Sequence, residues 1–120
     1  MKILQRDVVW VSFPFTDGRS YKERPALVIS NDLYNRTYRD ILLCYITTQS
    51  HTEHLLPISL KDLEAGNLQK PSYLRFDKIL LIDKSRILGV ISVINKAFYR
   101  KAVHAICDFI QLSKTKLRQK

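Results

Sequence analysis

The stretch Ile41-Leu42-Leu43-Cys44-Tyr45-Ile46-Thr47 carries no charge and no polar alternation. A strand built from it buries both faces, which only a barrel or a covered sheet provides. Other short runs repeat the theme. Val8-Val9-Trp10-Val11-Ser12-Phe13 is β-branched and aromatic and stops at Pro14, which cannot continue a ladder hydrogen bond. Pro25-Ala26-Leu27-Val28-Ile29-Ser30 reads as a second strand, with its proline tolerated as the first residue. His54 to Leu60 contains Pro57 and reads as an edge strand. Ser72–Phe76 and Lys78–Ile82 give two strands or one bent strand, and Ile87 to Ile91 fits either helix or strand.

Between these runs the chain is polar. Phe15 to Arg24 holds turn chemistry at Asp17-Gly18 followed by basic residues, and reads as a long exposed loop. Asn31 to Asp40 is a polar connection. Ser59-Leu60-Lys61-Asp62 resembles a capping arrangement, and Leu63-Glu64-Ala65 before Gly66 suggests one helical turn closed by glycine. The last third changes period. From Asn95, Phe98, Ala102, Ala105, Ile106, Phe109 and Leu112 recur at helical spacing with Lys96, Arg100, Lys101 and Asp108 between them. The resulting expectation is a mainly β (α+β) domain, an SH3-like barrel of antiparallel strands with a C-terminal amphipathic helix. It spans residues 1–113, with a basic tail over 114–120.

With 120 residues and 46% hydrophobic content, the chain can bury a core without disulfide or metal. Cys44 and Cys107 lack CxxC spacing and sit among apolar residues, where a free thiol acts as a small core side chain. No run approaches the ~20 apolar residues of a membrane span, so a cytoplasmic protein is expected. The formal charge of +9 leaves nucleic acid, an acidic protein or a membrane surface as partners.

Three segments together carry a resemblance. They are Asp7 to Gly18 with its Trp10-Val11-Ser12-Phe13-Pro14 centre, Arg24-Pro25-Ala26-Leu27-Val28-Ile29-Ser30, and Ile46-Thr47-Thr48-Gln49. With Leu80-Leu81-Ile82-Asp83-Lys84-Ser85-Arg86-Ile87, they resemble the MazF/PemK-like toxins of type II toxin–antitoxin systems over roughly residues 7 to 112. The resemblance implies a dimerising SH3-like barrel that cuts single-stranded RNA without metal or other cofactor. It also implies an acidic cognate antitoxin whose extended segment occupies the RNA groove. By the resemblance, Arg24 and Thr47 are the catalytic residues, and Thr16, Asp17, Gly18, Arg19, Ser20, Tyr21, Lys22, Thr48 and Gln49 contact RNA. Arg6 stands where the family commonly has glycine before the Asp, and the loop from Asp17 to Glu23 is shorter than in some relatives.

The residue types suit the chemistry. Cleavage by a neighbouring 2′-OH needs in-line placement, a proton acceptor and relief of charge on the phosphoryl oxygens. Guanidinium grips two phosphate oxygens, and a threonine hydroxyl can bond phosphate or orient the 2′-OH. Glu23 could accept a proton, but strand neighbours point to opposite faces, which separates it from Arg24. Trp10, Phe13 and Phe15 read as core, whereas Tyr21, beside Arg19 and Lys22, suits base stacking. His51 and His54 read as solvated loop residues, without the companions a metal site requires. Two alternatives stay open: a CcdB-like barrel toxin that acts by binding a protein, DNA gyrase, and a non-catalytic RNA-binding barrel. Membrane binding is set aside, because the terminal helix needs its apolar stripe for packing.

Overall fold

A computed structural model describes residues 1–14 and 17–114. In chain order it forms β1 (Asp7–Pro14), β2 (Tyr21–Val28), α1 (Asp32–Thr37), β3 (Asp40–Thr47), β4 (Leu55–Ile58) and β5 (Leu63–Gly66). β6 (Ser72–Asp83), β7 (Ile87–Ile94) and α2 (Lys96–Ile110) complete it. All strand pairs are antiparallel, in one seven-stranded sheet of order β4-β6-β3-β2-β1-β7-β5.

The doubly apolar strand, β3, lies inside that order between β6 and β2 and feeds two cores. Cys44 and Ile46 join Val8, Leu27 and Leu74 beneath Phe98, Ala102 and Ile106 of α2. Ile41 and Leu43 turn the other way, against Val9, Val11, Ala26 and Val28. Alternation along one strand thus fills both cores, the arrangement the opening stretch demanded. Burial, and after it the nearby Asp77 carboxylate, pushes the Cys44 thiol up to about 12. That thiol stays neutral and serves as packing.

Several sequence expectations need correction. β2 begins at Tyr21, not Pro25, so Tyr21, Lys22, Glu23 and Arg24 are strand residues paired with β1 from Pro14 to Val11. Pro25 fits mid-strand for a directional reason. Ile29 donates to Leu42 on the β3 side, while the Val28 carbonyl accepts from Arg6 on the β1 side. Alternation puts Pro25 with Ile29, facing β3 beyond the point where that pairing stops at Ala26, so its missing N–H breaks no bond.

The polar connection contains α1, capped by Asn31, whose Oδ1 accepts from Tyr34 N at 2.8 Å. At Ser59–Asp62 the capping box exists, but it closes a single 3-10 turn over Leu60–Asp62, and Leu63–Gly66 is a strand against β7. β6 is one long strand, with a register irregularity opposite Cys44–Ile46, and Ile87–Ile94 is a strand. Cys107 is exposed rather than packed, and Leu112 lies beyond the end of α2 and is exposed. Of the tail, residues 115–120 lie outside the described residues.

Arg6 takes φ 81°, a left-handed conformation natural to glycine. Such backbone costs a side-chain-bearing residue about 1–2 kcal/mol. Here the side chain supplies compensation, since Nη1 donates to the Ile94 carbonyl at 2.7 Å and to Glu64 Oε1 at 2.9 Å. Arg6 thus ties the entry to β1 to β7 and to the edge strand β5.

Candidate nucleic-acid interface

β2 and β3 pair through Ala26 with Tyr45, Leu27 with Cys44 and Val28 with Leu43, and then separate. The ladder ends two residues short of Arg24 on β2 and of Thr47 on β3. The two residues nominated for catalysis therefore stand on either side of the point where the sheet opens. A groove of about 860 Å³ begins there. Arg24 and Pro25 form one bank, and Ile46 and Thr48 another. That volume lies in the range of sites that enclose a small organic ligand.

Arg24 is half-buried, with Nη1 donating to the neighbouring Glu23 carbonyl at 2.8 Å. It makes no ion pair among the described residues. Most of its five donors remain for an anion in the groove. Thr47 is buried to 9% exposure and does not line the groove. Its Oγ1 accepts from Gln49 N at 3.0 Å, closing a short turn at the end of β3. The turn leaves Thr48 and Gln49 exposed, with Thr48 on the groove wall. Thr47's own hydroxyl proton stays available to donate.

The hairpin end behaves differently. Asp17 Oδ1 accepts from Arg19 N at 2.8 Å and Ser20 N at 3.0 Å, and Oδ2 accepts from the Ser20 hydroxyl at 3.1 Å. These bonds, led by the one from Arg19 N–H, hold its carboxyl below the ordinary 3.8. Gly18 occupies the left-handed region at φ 74°. Thr16 lies outside the described residues. None of the described residues 17–22 lines the groove. Tyr21, expected to stack a base, instead has the Arg86 guanidinium 4.4 Å from its ring centroid. One aromatic face is already covered.

The aromatic that does line the groove is Trp10, read from sequence as core. Its indole N–H donates to Glu23 Oε1 at 2.8 Å, which fixes the ring. Glu23 is thereby a partner of Trp10 and does not line the groove. Opposite Trp10 on β7 stands Gly89, with open space where a Cβ would project. The far wall, at Asn67, Gln69 and Lys70, also escaped the sequence reading. Sequence separation hides it, since these residues lie between β5 and β6, far along the chain from Trp10 and Arg24.

His54 is an exposed loop residue, as read from the sequence, but its ring also has neighbours. Its ring packs on Phe76 and Phe109 at centroid distances of 5.8 and 5.2 Å, beside a separate cavity shared with His104 and Asp108. Among the described residues, no group of three or more His, Cys, Asp or Glu is placed to hold a metal ion. No described helix is long and apolar enough to cross a membrane.

A family model described as the PemK-like, MazF-like toxin of type II toxin–antitoxin systems matches residues 4–110. No curated protein matches the sequence closely enough to count as a relative. Among solved structures, an endoribonuclease from a Mycobacterial species is 19% identical with a TM-score of 0.74, covering 96% of this chain and 97% of that one. A Mycobacterial endoribonuclease in complex with its cognate antitoxin is 19% identical, with a TM-score of 0.71 over 95% and 98% of the chains. A MazE–MazF structure from Deinococcus radiodurans is 16% identical, with a TM-score of 0.76 over 94% and 100%. At these identities the likeness shows the fold.

Proposed function

The chain belongs to the PemK-like, MazF-like toxins of type II toxin–antitoxin systems, and from that premise we propose that it is a metal-independent endoribonuclease that cuts single-stranded mRNA at the groove between β2 and β3. The observation that carries this reading is Arg24, half-buried at the opening of the sheet with no carboxylate partner among the described residues. A guanidinium left in that state is a prepared anion site.

In the reaction the 2′-oxygen of one ribose forms a bond to the adjacent phosphorus, and the bond to the 5′-oxygen of the next nucleotide breaks. The products are a 2′,3′-cyclic phosphate and a 5′-hydroxyl. Arg24 neutralises the charge gathering on the phosphoryl oxygens. The Thr47 hydroxyl, its oxygen already engaged by Gln49 N, donates toward the phosphate or holds the 2′-OH in line. Trp10 offers a fixed aromatic wall for an unstacked base. The hairpin carrying Asp17, Gly18, Arg19, Ser20, Tyr21 and Lys22 contacts RNA flanking the cut, with Gln49 beside it.

The net charge of +9 supports two successive occupants, RNA and an acidic antitoxin segment. The protein acts as a cytoplasmic homodimer. Light scattering at micromolar concentration should give twice 14.1 kDa, and a monomer there would contradict that part.

The function is tested by incubating purified protein with a long RNA in EDTA. Cyclic-phosphate ends at a restricted set of sites are expected. Intact RNA together with inhibited DNA supercoiling would instead favour the gyrase-binding alternative, and salt-sensitive RNA binding without cutting would favour a non-catalytic barrel. A second assignment of the hydroxyl role has a specific observation behind it, because Thr48, not Thr47, lines the groove. Thr47→Ala and Thr48→Ala compared on one substrate decide between them, with a loss of about 10²-fold expected for the hydroxyl that meets the phosphate.

A further inference from the structure

The groove has a wall that the mechanism leaves unused. Asn67, Leu68, Gln69 and Lys70 bridge β5 and β6 and face the same space as Arg24 and Trp10. The bridge is anchored at both ends and in the middle. At one end Gly66, at φ 77°, lies so close to β7 that a Cβ would come within 2.4 Å of the Ile91 carbonyl oxygen. At the other, the buried Ser72 donates its hydroxyl to the Lys70 carbonyl at 2.9 Å. Between them Leu68 packs against the core beneath α2. Asn67 spends its Oδ1 on Leu68 N at 2.9 Å, so its side chain shapes the bridge. The Arg6–Glu64 contact at 2.9 Å holds the preceding strand.

Asn67, Gln69 and Lys70 are exposed on this fixed bridge. With the Asn67 Oδ1 engaged by Leu68 N, Gln69 is the neutral amide with neither donor nor acceptor bonded among the described residues, and Lys70 is the ammonium. A side-chain amide offers a donor and an acceptor together, the pattern that pairs with a base edge. An ammonium is a point charge suited to phosphate. We infer that the Asn67–Lys70 bridge is the specificity wall of the groove, with Gln69 reading the edge of a base beside the scissile phosphate and Lys70 holding the backbone of that nucleotide. The inference rests on the ribonuclease reading and adds residues to it.

The two side chains should fail differently. Losing a base-edge contact relaxes preference at one position, whereas losing a phosphate contact weakens all sequences alike. Wild type, Gln69→Ala and Lys70→Ala are each incubated in EDTA with a pool of RNA randomised in sequence, and the cut ends are sequenced. Gln69→Ala should flatten base preference about tenfold at one position adjacent to the cut, leaving the other positions unchanged. Lys70→Ala should keep the wild-type preference, bind every sequence more weakly, and reduce the salt slope of binding by about one. Both side chains are exposed, and matching melting curves verify that the fold persists. If wild type cuts and both variants reproduce its cut-site profile and salt slope, the bridge is not a specificity wall. If wild type itself leaves the pool intact, the ribonuclease reading falls, and this inference with it.

Discussion

The same two strands, β2 and β3, behave in opposite ways along their length. From Ala26 to Val28 on one and Leu43 to Tyr45 on the other they are paired, and Ala26, Leu27, Val28, Leu43 and Cys44 have no exposure. A few residues away, Arg24, Pro25 and Thr48 line open space. One end of the pair is tied by hydrogen bonds and apolar burial, while the other leaves polar donors where a ligand can reach them. Under the proposed function, stability and chemistry fall on adjacent segments of these two strands, and damage to either should be separable from the other.

The largest expected effect falls on the open end. Arg24→Ala should lower RNA cleavage by about 10²–10³-fold, the range seen when a charge-stabilising donor is removed. Folding should be nearly unaffected, since among the described residues the Arg24 guanidinium bonds to the adjacent Glu23 carbonyl and forms no ion pair. The paired end should respond the other way. Leu27→Ala removes a fully buried side chain from the core beneath α2 and should cost about 2–5 kcal/mol in denaturant unfolding. Residual folded protein should still cleave.

Between these extremes lies the groove's far wall. Gly66→Ala places a methyl 2.6 Å from Ser92 Cα as well as against the Ile91 carbonyl, on backbone at φ 77°. A loss of at least about 1–2 kcal/mol is expected from the conformation alone. Thermal melts of the variant would measure it, with altered cut-site preference as the functional companion.

The smallest effect concerns acid. Because hydrogen bonds depress the Asp17 carboxyl below 3.8, its contribution to the hairpin is complete above that value and fades as pH falls through the lower native one. Amide exchange at Arg19 and Ser20, corrected for intrinsic rates, should accelerate only below about pH 4. Acceleration between pH 5 and 7 would mean the Asp17 turn is not what holds the loop.

Which parts were legible in the sequence follows the same division. The closed end was readable because burial on both faces writes an uninterrupted apolar run, as in Ile41–Thr47. The terminal helix was readable from its period, although its stripe overran to Leu112, which the end of α2 at Ile110 leaves exposed. The open end misled. Tyr21 to Arg24 carry polar side chains because their strand lacks a β3 neighbour there, so composition mimicked a loop. α1 escaped because Asn35 is the one buried residue in its six, leaving no apolar period to detect. Of the residues of the proposed site, Arg24 and the threonine step were nominated through resemblance to a family. Trp10, Gln69 and Lys70 were not, because only long-range pairing brings them to the groove.

The central claim is that chemistry resides at the open end of the β2–β3 pair and stability at the closed end. The most direct test measures cleavage of one RNA in EDTA and the melting temperature for Arg24→Ala and wild type side by side. The account predicts cleavage lost by two orders of magnitude or more with a melting temperature unchanged within about 2 °C. Undiminished cleavage, or loss of activity matched by loss of folding, would contradict it.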